Sequence, residues 1–129
     1  MFDTGQVEDV VEGQGGLAEL AAESGTEKLV LIVSTCDPDR IAELAGRLAG
    51  GPVRLLEAPV SGTSAQVADG DGVGLIAGDK RDADAAADIL AAICKTSQFM
   101  GAIGNGGRTK LAVNLILGIT RAGLAEGLV

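Results

Sequence analysis

Leu29-Val-Leu-Ile-Val33, running into Ser34-Thr35-Cys36-Asp37-Pro38, decides the fold class of this chain. Five consecutive aliphatic residues form a run too short for a helix and read as a strand buried on both faces, as in a parallel sheet. The polar break that follows is a helix start. Asp37 is placed to cap, and Pro38 suits the first helical position, where its missing N–H costs nothing. Ile41, Leu44, Ala45 and Leu48 then mark one helix face, and Gly50-Gly51 ends it. The unit repeats downstream. Val53-Arg-Leu-Leu56 is the next strand, residues 63–72 a polar helix or loop, and Val73-Gly-Leu-Ile-Ala77 a third strand weakened by Gly74. Gly78-Asp-Lys-Arg81 turns into an Ala-rich amphipathic helix over residues 82–93, followed by a short strand, Thr96-Ser-Gln-Phe-Met100. From Gly107 a helical pattern runs to the end of the chain. Upstream, the first residues read as polar and glycine-rich, with one short helix over residues 17–23 before Gly25. Strands alternating with helices predict an α/β fold with a mainly parallel sheet. Ligands in such sheets bind beyond the carboxyl ends of the strands, where Ser34-Thr35 and Ser61-Gly62 are expected to lie.

The composition narrows the function. The chain has 129 residues, enough for one modest core, and 47% are hydrophobic. Its net charge of −8 argues against nucleic acid and anionic membrane as partners. No His is present, so proton transfer would fall to Lys, Asp or Glu. Cys36 and Cys94 lack metal-ligand spacing and read as two buried thiols. Asp69-Gly-Asp71 reads as a solvated turn, so no metal site is expected. The start of the chain has no basic, apolar leader, and the longest apolar segment, residues 111–119, is too short to span a bilayer. A cytoplasmic location follows as the expectation.

One pair carries chemistry. Lys110 and Asn114 stand at i and i+4, side by side on one helix face, just after Gly101-Ala-Ile-Gly-Asn-Gly-Gly107. An amine that moves a proton, beside an amide that orients a hydroxyl or carboxylate, suits a small oxygenated molecule. The glycines are expected to let backbone approach a ligand at the helix start.

Glu57-Ala-Pro-Val-Ser-Gly62 and Gly104-Asn-Gly-Gly-Arg-Thr-Lys-Leu-Ala-Val-Asn114 resemble two signatures of the β-hydroxyacid dehydrogenase family. Ser34-Thr35-Cys-Asp-Pro38 is similar to a third element, and Gly78-Asp-Lys80 and Ala125-Glu-Gly-Leu128 fit as well. The resemblance runs from about Val10 to Val129 and is nearest to the glyoxylate/succinic semialdehyde reductase and 3-hydroxyisobutyrate dehydrogenase branches. It implies the C-terminal part of a Rossmann-like NAD(P)-binding domain over residues 1–106. The start of a helical dehydrogenase domain, a long inter-domain helix, would occupy 107–129. It implies NADP or NAD as cofactor and a small 3-hydroxy acid or its semialdehyde as substrate. Lys110 would relay the proton and Asn114 would orient the substrate. Ser61, Gly62 and Thr63 would hold its carboxylate, with Ser34 and Thr35 near the cofactor.

Several residues depart from the family. Glu57 stands where Asp is usual, Thr63 where Gly is common, and Gly72 and Gly74 replace aliphatic residues. Phosphogluconate dehydrogenases carry a His just before the Asn; here Val113 stands there, which discounts that substrate. The family's G-x-G-x-x-G turn after a first strand has no counterpart, since Gly13-Gln-Gly15-Gly16 follows no strand. The chain therefore resembles an interior slice of a longer enzyme. Leu111, Val113, Leu115, Ile116, Leu117, Ile119, Leu124 and Leu128 cover most of the last helix, a pattern expected of a buried helix or a homo-oligomer contact. The alternative is an inactive assembly or interaction module.

Overall fold

The computed structural model describes residues 3–129. The chain opens with two helices, α1 (Thr4–Glu12) and α2 (Leu17–Ser24), before strand β1 (Lys28–Ile32). Helix α3 (Pro38–Arg47) leads to β2 (Val53–Glu57), which pairs with β1 in parallel, from Lys28 opposite Val53 to Ile32 opposite Glu57. Asp37 caps α3 as expected, its carboxylate accepting from the N–H groups of Asp39 and Arg40. A two-residue strand, β3 (Val60–Ser61), and a short helix, α4 (Ser64–Ala68), precede β4 (Val73–Ile76). Helices α5 (Lys80–Ala85) and α6 (Ala87–Ile93) lead to β5 (Thr96–Phe99), parallel to β4. The long helix α7 (Asn105–Gly127) closes the chain.

The strand pairs are mainly parallel, with antiparallel pairing where the two segments meet. Strand β3 runs antiparallel to β4, Val60 opposite Gly74 and Ser61 opposite Val73. The two sheet segments are joined by Glu57 and Ala77, which exchange backbone bonds of 2.8 and 3.0 Å. Successive residues of β2 face opposite ways. Leu55 therefore joins a core with Val7, Val11, Ile32, Ile41 and Leu44, and Leu56 joins a second core with Ile76, Ala83, Ala86 and Leu90. Cys36 and Cys94 are free and buried.

Three local readings change. Residues 4–12 form a helix rather than a polar lead-in, because Asp3 caps it and Val7 and Val11, one turn apart, are fully buried. Ion pairs hold α1 on α3: Arg40 with Glu8, and Arg47 with Glu12 at 2.6 Å. The expected single helix over 82–93 is broken at Ala86 into α5 and α6. Strand β1 is buried only at Ile32, and its other residues are exposed or half-buried, since it pairs with β2 alone among the described residues. No helix is long and apolar enough to cross a membrane among the described residues.

Candidate functional site

The site is built around the end of β2 and the start of α7. Gly104 lies just before α7 with φ +92°, in the left-handed region that favours glycine. The helix then begins with its first N–H groups turned onto the Glu57 carboxylate. Gly104 and Gly106 donate to Oε2 at 2.5 and 3.3 Å, and Gly107 donates to Oε1 at 3.0 Å. Glu57 is only 3% exposed. Burial pushes its carboxyl above the ordinary carboxylate range, while the three N–H donors and the Arg108 guanidinium pull it back. A helix N-terminus is a ready-made anion site. Here the chain's own carboxylate fills it.

This overturns the expected role of the glycine-rich run. Its glycines admit Glu57 and neighbouring backbone rather than a ligand. A Cβ at Gly106 would stand 2.8 Å from the Leu75 carbonyl oxygen, and one at Gly107 would stand 3.0 Å from Glu57 Oε1. Further polar ties fix the same corner. Arg108 reaches Asp39 on α3 at 2.5 Å, and the Asn105 side-chain amide donates to the Met100 carbonyl at 3.0 Å.

One helical turn beyond this lock, α7 faces a cleft of about 590 Å³. Its walls include Ser61, Gly62 and Thr63 on one side and Lys110 and Asn114 on the other. The cleft thus brings together the five residues expected to handle substrate. Ser61 and Lys110 are half-buried, while Gly62, Thr63 and Asn114 are exposed. Ser61 belongs to β3 rather than to a turn after a strand, and its pairing with Val73 sets its position. Thr63 caps α4: its N–H donates to Gln66 Oε1 at 2.8 Å, and its hydroxyl oxygen accepts from Gln66 N–H at 3.3 Å. The Thr63 backbone donor is therefore committed, and its hydroxyl hydrogen is the donor left for a ligand. Ser34 and Thr35 stand in the loop between β1 and α3 and do not line this cleft.

Six lining residues were not among those the sequence assigned to the site: Gln66, Asp71, Val73, Val113, Leu117 and Arg121. Leu117 and Arg121 lie on the same face of α7 as Lys110 and Asn114. The spacing of seven and eleven residues from Lys110 repeats that face and was the available signal. Lys110 and Arg121 form no ion pair among the described residues. The cleft's one acid, Asp71, lies 3.8 Å from Lys95. Within a chain of net charge −8, the cleft is thus a local positive site that suits a small carboxylate.

A dinucleotide fits only one end of this arrangement. The polar loop 33–37 sits at the carboxyl end of β1, the edge where such cofactors lie in open α/β sheets. The pyrophosphate end has no cradle among the described residues. Gly13, Gly15 and Gly16 link α1 to α2, with Gly16 N–H bonded to the Gly13 carbonyl at 2.8 Å, so they form a helix-to-helix turn.

Residues 2–104 match the family described as the NAD binding domain of 6-phosphogluconate dehydrogenase. The chain is 40% identical over 101 residues to the cytokine-like nuclear factor N-PAC of Xenopus tropicalis, covering 78% of this chain and 19% of that protein. It is 33% identical over 120 residues to glyoxylate/succinic semialdehyde reductase 1 of Arabidopsis thaliana, covering 93% of this chain and 40% of that one. The crystal structure of 3-hydroxyisobutyrate dehydrogenase from Salmonella typhimurium superposes with a TM-score of 0.83 at 24% identity, over 98% of this chain and 43% of that one, which shows the shared fold. The chain spans less than half the length of each of these relatives. The matched domain, the β2–β3 and α7 signatures and the α/β fold agree: the chain belongs to the β-hydroxyacid dehydrogenase family, within the NAD-binding domain class of 6-phosphogluconate dehydrogenase.

Proposed function

We propose that the chain serves NAD(P)-dependent interconversion of a small 3-hydroxy acid and its semialdehyde, with Lys110 as the proton relay. The observation that carries this reading is the shared cleft, in which Lys110 and Asn114 on α7 face Ser61, Gly62 and Thr63 across about 590 Å³. A nicotinamide dinucleotide, NADP or NAD, supplies the hydride chemistry when bound, with Ser34 and Thr35 as its neighbours on the sheet edge. The Ser61 hydroxyl, the Gly62 backbone and the Thr63 hydroxyl hold the substrate carboxylate. Asn114 orients the carbonyl or hydroxyl group. The Lys110 ammonium gives its proton to the oxygen that gains negative charge during reduction, and takes it back in the oxidative direction. Such general acid catalysis contributes about 10²–10⁴ in rate. In this reading residues 107–129 begin the helical domain that would complete the pocket.

The test is reduction of malonate semialdehyde, the partner of 3-hydroxypropionate, with NADPH or NADH, with succinic semialdehyde and glyoxylate assayed beside it. Lys110→Met is expected to slow it by about 10²–10⁴. Turnover unaffected by that substitution refutes the assignment.

A second reading is favoured by α7. Leu115, Ile116, Ile119 and Leu124 are each more than 60% exposed, and of α7 only Gly106 and Gly107 are buried. The burial expected for this helix is not met within the chain. The similarity to N-PAC, named as a nuclear factor and not as an enzyme, points the same way. In this reading the chain is a module that assembles, with a second copy or another protein, through α7. Absence of turnover together with concentration-dependent association in sedimentation would favour it; a stable monomer would remove it.

A further inference from the structure

Glu57 is a buried carboxylate held by three backbone N–H donors, and the proton chemistry does not use it. Its backbone joins the two sheet segments through Ala77, at 2.8 and 3.0 Å. Its side chain, 3% exposed, takes three N–H donors from the first turn of α7. Residue and helix are thus pinned to one point where β2, β4 and α7 meet. Lys110 follows Gly107 by less than one turn, so its position over the cleft is set by where that first turn is held. Other ties on α7 are weaker guides. Arg108 pairs with Asp39 through exposed side chains, and beyond Asn114 the helix has no buried residue.

We infer that Glu57 is a positioning residue for Lys110: its carboxylate occupies the N-terminal anion site of α7 and thereby sets the amine against Ser61. The inference rests on the proposed role of Lys110, and it adds a consequence. The helix start is closed to substrate and to cofactor phosphate, so ligand anions bind farther along α7, at Lys110 and the Ser61–Gly62 backbone.

Glu57→Gln retains the shape but leaves one accepting oxygen for three donors, so at least one N–H loses its partner. Gly107→Ala disturbs the same contact with the carboxylate kept, because its Cβ would meet Oε1 at 3.0 Å and Pro38 Cβ at 3.2 Å. The readout is the acylation rate of each lysine of the full 129-residue chain, measured by peptide mass spectrometry with an amine-reactive ester. Lys28, Lys80 and Lys95 are exposed and serve as internal references, while Lys110 is half-buried. Both variants are expected to raise the Lys110 rate by about threefold or more, as local opening exposes the amine, with the reference lysines unchanged. Val11→Ala, a core change on α1, which packs on α2 and α3, should leave the Lys110 ratio unaltered. If Glu57→Gln does not fold, Gly107→Ala carries the test. An unchanged Lys110 ratio in the folded variants, or an equal rise at all lysines, overturns the inference. Addition of 3-hydroxypropionate to the unaltered chain reports separately on substrate binding. Failure of this acid to protect Lys110 counts against the proposed function, whereas the variant ratios judge the positioning role.

Discussion

Gly106→Ala sets two opposing effects against each other at a single atom. By helix propensity alone the change should stabilise a helix interior by about 0.8–1 kcal/mol. At this position the added Cβ would stand 2.8 Å from the Leu75 carbonyl oxygen, 3.1 Å from Glu57 Cβ and 3.3 Å from Glu57 Oε2. The nearest atom is β4 backbone and cannot swing aside. The helix start must move away, and overpacking of this kind costs about 1–3 kcal/mol. The same movement lengthens the Gly106 and Gly107 bonds to the Glu57 carboxylate, and a hydrogen bond to a charged group is worth about 1.5–3 kcal/mol. After subtraction of the propensity gain, a loss of about 1.5–5 kcal/mol remains. That is a large share of a stability of roughly 5–15 kcal/mol. Urea denaturation followed by far-ultraviolet circular dichroism should show a lower midpoint at unchanged slope. Gly118→Ala is the control. Nothing lies within 4 Å of its added Cβ, so only the propensity gain remains and helix content should rise. A Gly106→Ala chain as stable as the parent would refute the packing of α7 against Glu57 and β4.

Other outcomes follow from the same structure. Val7→Ala should destabilise the chain by about 2–3 kcal/mol, because Val7 is fully buried between α1 and the main core; a change below about 0.5 kcal/mol in the same denaturation would detach α1 from the fold. Asp79 is held down to about 2, first by the Arg81 side chain and then by the Arg81 N–H. Its stabilising contribution is therefore present above its ordinary value of 3.8 and fades as pH falls toward 2; Asp79→Asn should flatten that part of an acid titration of stability, and an unchanged acid limb would contradict it. The 129-residue chain should bind NADPH only weakly, since Gly13, Gly15 and Gly16 form a helix-to-helix turn; low-micromolar affinity by titration calorimetry would contradict this.

Strands β1, β2, β4 and β5 and helix α3 were legible because each signal was local. Asp37-Pro38 marks a helix start, and the aliphatic run at Leu29 marks a strand, without reference to the rest of the fold. Helix α1 was obscured by Gly5 and by acidic residues, although Val7 and Val11 kept helical spacing after the Asp3 cap. The antiparallel β3 could not be foreseen, because two residues carry no period and their pairing depends on Gly74 across the sheet. Lys110 was legible from its spacing to Asn114 and Ser61 from its place after a strand, with the family resemblance adding their roles; Arg121 needed the helix face extended by further turns. Least legible was Glu57. A carboxylate at the end of a strand gives no local sign that it will fill a helix N-terminus 47 residues away in sequence.

An anionic ligand is expected to bind along α7 at Lys110 and Asn114, not at the helix start that Glu57 fills. The most direct measurement is a two-dimensional nitrogen–proton spectrum of the labelled chain during titration with 3-hydroxypropionate. Shifts should concentrate at the amides of Ser61, Gly62, Thr63, Lys110 and Asn114, with Gly104, Gly106 and Gly107 unmoved because Glu57 already holds them. Shifts centred on Gly104, Gly106 and Gly107, with none at Ser61 or Lys110, would place the anion at the helix start and contradict the account.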